Sequence, residues 1–137
     1  MNSETLGITA AIPEPLEKAL PIVRRLLSGK GLSVIEEFDV SGEPSFRNGT
    51  HGRSCVILMV DMPVLLFEAV ALDRAAAVFL PLHVVISGDG GTSYVHWVHP
   101  ILSSGLRPPA PARAALEELC GRVTAALSAL RQPVVSA

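Results

Sequence analysis

Leu82-His83-Val84-Val85-Ile86-Ser87-Gly88-Asp89-Gly90-Gly91-Thr92-Ser93-Tyr94-Val95-His96-Trp97-Val98 is the stretch that decides the fold. Two runs rich in β-branched and aromatic residues, Leu82 to Ser87 and Thr92 to Val98, flank a glycine-rich centre. Asp-Gly is a preferred two-residue hairpin turn, because both central residues must take positive φ. With Asp89-Gly90 as the turn, His83 faces His96, Val85 faces Tyr94 and Leu82 faces Trp97. Side chains alternate along a strand, and opposed residues share a face. His83, Val85, Tyr94, His96 and Val98 therefore line one face, and Leu82, Val84, Ile86, Val95 and Trp97 the other. The second set is the better candidate for a core under helices, which leaves the histidine face open or available to a second copy.

Further strands extend from this hairpin. Ser54 to Val60 is apolar on both faces and reads as an interior strand. Leu32 to Val40 places Leu32, Val34, Phe38 and Val40 on one side. Glu36 breaks that alternation and predicts a bulge or an edge position. Leu6 to Ile12 reads as a first strand. Three helices separate these runs. Pro13 and Pro15 open one carrying Leu16, Leu20, Val23 and Leu27, which Gly29 and Gly31 stop. Pro21 lies inside it and predicts a kink or a later start. Asp61 then Pro63 announce a second helix to about Asp73. After Pro100, a link with Pro108, Pro109 and Pro111 leads to a third, with Leu116, Leu119, Cys120, Val123, Leu127 and Leu130 on one stripe. The order is β-α-β-β-α-β-β-α. It predicts a single α+β domain over residues 1–137, its mostly antiparallel sheet covered by helices on one face.

The totals narrow the function classes. The chain has 137 residues, 49% hydrophobic and 18% charged, too apolar for a disordered segment. Its formal net charge of -2 supplies no field that would draw it to phosphates, so no nucleic-acid partner is expected. High apolar content with little surface charge hints at coverage by a second copy. No run approaches the ~20 apolar residues of a membrane-spanning helix, and no signal peptide is legible at the N-terminus. Cys55 and Cys120 form no CxxC pair and sit in apolar settings, as buried thiols of a reducing compartment do. The expected location is cytoplasmic, with no membrane partner.

From Leu16 to Pro100 the chain resembles the bacterial family of domain of unknown function 302. The matching features are Gly29-Lys30-Gly31-Leu32 after a helix, then Val34 and Phe38-Asp39-Val40. They continue with Ile57-Leu58, Pro63 before a short helix, Leu80-Pro81 leading into Val84-Val85, the glycine hairpin, and a Val-x-x-x-x-Pro ending at Pro100. The resemblance implies a TATA-binding-protein-like α+β fold and a frequent dimer. It implies nothing about DNA, because function belongs to sites and not to folds. Many members carry a cysteine two residues before the helix-opening proline, and a second just after the Leu-Pro. Here those positions hold Asp61 and Leu82, so a thiol-redox or thiolate-metal role does not transfer.

One polar constellation remains. His83 and His96, with Asp61 from the neighbouring strand end, are a chemically sensible set for zinc or non-haem iron. The same trio could do acid–base work, with Tyr94 as a nearby donor. Against this stands a plainer reading, in which Asp61 caps the helix that Pro63 opens and the histidines are a polar cross-strand pair. The loop from Ser41 to Arg53 carries Arg47, His51 and Arg53 and is a second candidate, for an anion, though no phosphate-loop pattern accompanies it. No GxSxG elbow or dinucleotide fingerprint is present, and the sequence names no cofactor. The preferred reading is a homodimeric ligand-binding or interaction module, with a small-molecule ligand open. The alternative is a metal-dependent or acid–base enzyme centred on Asp61, His83 and His96.

Overall fold

A computed structural model of the chain describes residues 7–40, 54–75, 82–98 and 110–131. Its elements are β1 (Gly7–Ile12), α1 (Leu16–Ser28), β2 (Ser33–Asp39), β3 (Ser54–Asp61) and α2 (Pro63–Leu72). They continue with β4 (Leu82–Asp89), β5 (Thr92–Val98), α3 (Ala110–Ser128) and a 3-10 turn, Ala129–Arg131. The five strands form one sheet in the order β1-β5-β4-β3-β2, and every neighbouring pair is antiparallel. This is the α+β architecture that the sequence order predicts.

Alternation decides which face is buried. Ile8, Ala10 and Ile12 of β1, Val56, Leu58 and Val60 of β3, and Leu82, Val84 and Ile86 of β4 all point into the core, with Val95 and Trp97 of β5. Against them pack Ala19, Val23 and Leu27 of α1 and Leu116, Leu119, Val123 and Leu127 of α3. α1 leads from β1 at one edge to β2 at the other, so its apolar stripe spans the sheet.

Local signals set the ends of α1. Lys18 and Ala19 both donate to the Pro15 carbonyl, at 2.9 Å each. The helix starts at Leu16 and runs through Pro21, so the later start predicted from that proline does not occur; Pro21 is exposed and its ring faces solvent. The exit is a Schellman-type turn, with Gly31 N–H to Ser28 O at 3.0 Å and Leu32 N–H to Leu27 O at 3.1 Å. Gly31 takes φ 78°, a conformation that side chains with a Cβ avoid. Ser93 is buried and donates to the Glu14 carbonyl at 2.8 Å, which ties β5 to the β1–α1 link.

Three local expectations are corrected. Asp89 pairs with Thr92, so the turn is Gly90-Gly91 and not Asp89-Gly90; Gly90 takes φ 71°, a conformation a glycine adopts with less strain than an aspartate. In β2 the register shifts between Val34 and Glu36. Ile35 is the extra residue, so Val34 and Phe38 lie on opposite faces and not on one. Finally, Asp61 is not the cap of α2. It is the last residue of β3, while the N-cap is Met62, without a side-chain cap bond.

Candidate functional site

The face of the sheet opposite the described helices is built by register. One row crosses all five strands as Thr9, His96, Val85, Ile57 and Phe38. On one side of it lie Ala11, Tyr94, Ser87 and Cys55. On the other, Met59 faces both His83 and Glu36, and Val98 stands at the end of β5. The helices contact the opposite face, so large apolar side chains meet solvent here: Phe38 is 48% exposed, Val98 58% and Tyr94 37%.

The histidines lie on this face, as the alternation predicts, but are not paired with each other. His96 opposes Val85 and Thr9, and His83 opposes Met59. The one-position move of the turn shifts the ladder by two residues, which preserves the faces and changes the partners. His83 and His96 become diagonal neighbours, at a typical ~7–8 Å. His96 Nδ1 lies 3.5 Å from Thr9 Oγ1, at the outer limit of a hydrogen bond. Tyr94 borders the same row. Among the described residues, no three or more His, Cys, Asp or Glu side chains are gathered closely enough to hold a metal ion.

Asp61 is fully buried, unlike the histidines. Its Oδ1 accepts the Met62 N–H at 2.6 Å, and its Oδ2 has no hydrogen-bond partner. Burial pushes its carboxyl above the usual carboxylate range, and the Met62 N–H pulls only partly the other way. Position in the chain suggested a helix cap; the structure makes it a desolvated carboxyl at a strand end. Arg47, His51 and Arg53 lie outside the described residues.

A second surface was not visible in the sequence. α2 buries Ala69 and leaves Val64, Phe67 and Leu72 exposed. Between α2 and α3 runs a groove of about 310 Å³. Met62, Leu65, Ala69 and Leu72 line one wall, and Ala114 and Ala115 the other, with Glu68, Glu118 and Arg122 also at its sides. The one signal that could have pointed to it is the composition of Pro63–Leu72, apolar at every position except Glu68, which no single core contact can cover.

A family model, "Domain of unknown function DUF302", matches residues 8–131. The chain belongs to the DUF302 family. The match includes β1 and α3, beyond the region whose short motifs carry the resemblance. A crystal structure of an uncharacterized conserved DUF302 protein from Bacillus stearothermophilus shares the fold, with a TM-score of 0.75. The two are 18% identical, over 93% of this chain and all of that one. No curated protein matches the sequence. The α+β fold with its five-stranded antiparallel sheet is thus the fold of a DUF302 relative, and the family's function is unknown. Among the described residues, no helix is long and apolar enough to cross a membrane.

Proposed function

We propose that this DUF302 protein is a non-catalytic homodimeric interaction module, whose open sheet face packs against the same face of a second copy. The supporting observation is the row Thr9-His96-Val85-Ile57-Phe38 with its apolar neighbours, half-exposed on a face that no described helix covers. Five strands ~4.8 Å apart and ~20 Å long present roughly 500 Å² per copy, or about 1,000 Å² for a pair. That meets the lower bound for a specific interface. A two-fold contact uses one patch twice, and a flat face with aliphatic and aromatic residues at its middle and few charges can complement itself.

Light scattering at tens of micromolar should give a two-copy mass. Val85→Lys, which places an ammonium at the centre of the face, should give a folded monomer. A monodisperse wild-type monomer, or a dimer indifferent to Val85→Lys, overturns the reading.

The acid–base alternative centred on Asp61, His83 and His96 has one observation in its favour, a desolvated carboxyl whose raised pKa suits proton donation. Its metal-dependent form predicts stoichiometric zinc or iron in protein purified without a metal-affinity tag, lost in the His83→Ala, His96→Ala double variant. That result would displace the module reading.

A further inference from the structure

We propose that the groove between α2 and α3 is a binding site for a small amphiphile with an apolar tail and a cationic head. The walls come from two helices at helical spacing: Leu65, Glu68, Ala69 and Leu72 on α2, and Ala114, Ala115, Glu118 and Arg122 on α3. Its volume of about 310 Å³ falls at the small end of the range for ligand clefts, which are mainly apolar with a few convergent polar groups. The alanines of α3 keep it open, since larger side chains at those positions would fill it. Leu72 lines the groove and is 76% exposed, so an apolar tail seated here would remove one of the most exposed large side chains of the described residues from water.

The charges at the groove select the head. Arg122 is already engaged: its Nε donates to Glu118 Oε2 at 2.7 Å, and its NH1 donates to the Lys30 carbonyl at 2.8 Å. A bound anion would compete with both of these bonds. Glu68 on the facing wall and the second oxygen of Glu118 are the acceptors left over. Because Arg122 already balances Glu118, the charge left over at the groove is that of Glu68. A primary ammonium there gains charge-assisted hydrogen bonds, whereas a carboxylate head would meet Glu68 and have to displace Glu118 from Arg122.

The site is tested by calorimetry of the whole chain with decylamine, decanoate and decanol below their aggregation limits. Decylamine should bind saturably, one per chain, at least tenfold tighter than decanoate. Ala114→Trp, a substitution at an exposed wall position, should abolish binding by filling the groove. Leu72→Lys, also at an exposed position, should abolish it by placing a cation there, and serves if the tryptophan variant does not fold. Glu68→Gln should cut the amine-to-carboxylate preference at least threefold while leaving decanol unchanged. Equal affinity for both heads, or decylamine binding unaltered in the folded Ala114→Trp or Leu72→Lys variant, overturns the proposal.

Discussion

Replacing Asp61 by valine should stabilise the protein at neutral pH, and the gain should shrink on acidification. Valine approximates the shape of aspartate and suits a strand. The substitution removes one bond, Met62 N–H to Oδ1, a loss of about 1 kcal/mol. It also removes a fully buried carboxylate with a bare Oδ2, and an unsatisfied buried acceptor costs about 1–3 kcal/mol, or more when charged. Two buried methyl groups add about 1.5 kcal/mol in the variant's favour. The net gain is about 2 kcal/mol at pH 7.5, or roughly 8 °C in Tm for a domain of this size. Burial raises the folded carboxyl above its unfolded value, so the folded state holds the proton more tightly. The resulting stability is fully present below the unfolded value, near ~3.9, and is lost as pH rises through the folded one. The gap between variant and wild type is therefore widest at neutral pH and narrows towards pH ~4. Urea unfolding of both proteins from pH 4.5 to 7.5 measures it. A variant less stable at pH 7.5, or a gap independent of pH, would show that the ionised carboxylate has a stabilising partner.

Gly88→Ala should destabilise the fold by about 1–3 kcal/mol in thermal melts, since a Cβ there would lie 2.9 Å from Ser54 Oγ and 3.1 Å from Leu16 Cβ; an unchanged Tm would show that α1 can move aside. The Arg24–Glu37 pair is bidentate, at 2.6 and 2.8 Å, yet both side chains are more than a third exposed. A double-mutant cycle should give a coupling below about 1 kcal/mol, weakened by salt. The arginine holds the Glu37 carboxyl below its ordinary value, so this contribution is present above the unfolded carboxyl's titration and fades as pH falls through the folded one. A coupling of several kcal/mol would refute the surface assignment. Thiol labelling at pH 8 should modify Cys55 before Cys120, because burial pushes the Cys120 thiol up to about 12 and Cys55 is only partly buried. Cys120 should react at the rate of unfolding, and prompt labelling of both thiols would contradict its burial.

The element order was legible because its signals are local and redundant. Gly88-Asp89-Gly90-Gly91 between alternating apolar runs allows little but a hairpin, and the proline pairs and glycines mark the helix ends. The faces of β4 and β5 survived a wrong turn position, since moving the turn by one residue shifts the ladder by two and keeps parity. The histidine pairing did not survive, because partners depend on register itself. Glu36 gave away the bulge but not its consequence. One inserted residue turns Phe38 to the open face, where it extends an apolar row that a regular strand would have hidden. The groove had no signature beyond the nearly all-apolar composition of α2, since α2 and α3 meet only through the tertiary fold.

The residues that looked most like chemistry sit in unlike surroundings. Asp61 is desolvated and fully buried, while His83 and His96 lie on a face open to water, each opposed by different neighbours. Concerted acid–base work needs groups within reach of one reacting atom, and here the three differ in burial, Asp61 fully buried and the histidines not. Among the described residues two apolar surfaces stand out, and they differ in shape. A flat sheet face satisfies a flat partner, for which a second copy is the simplest occupant. A groove between helices satisfies a small or slender one. They occupy opposite layers, the groove among the helices and the row on the side that the helices do not touch. Pairing through the sheet would therefore leave the groove open, and an occupant of the groove could sense the dimer only through the core between them.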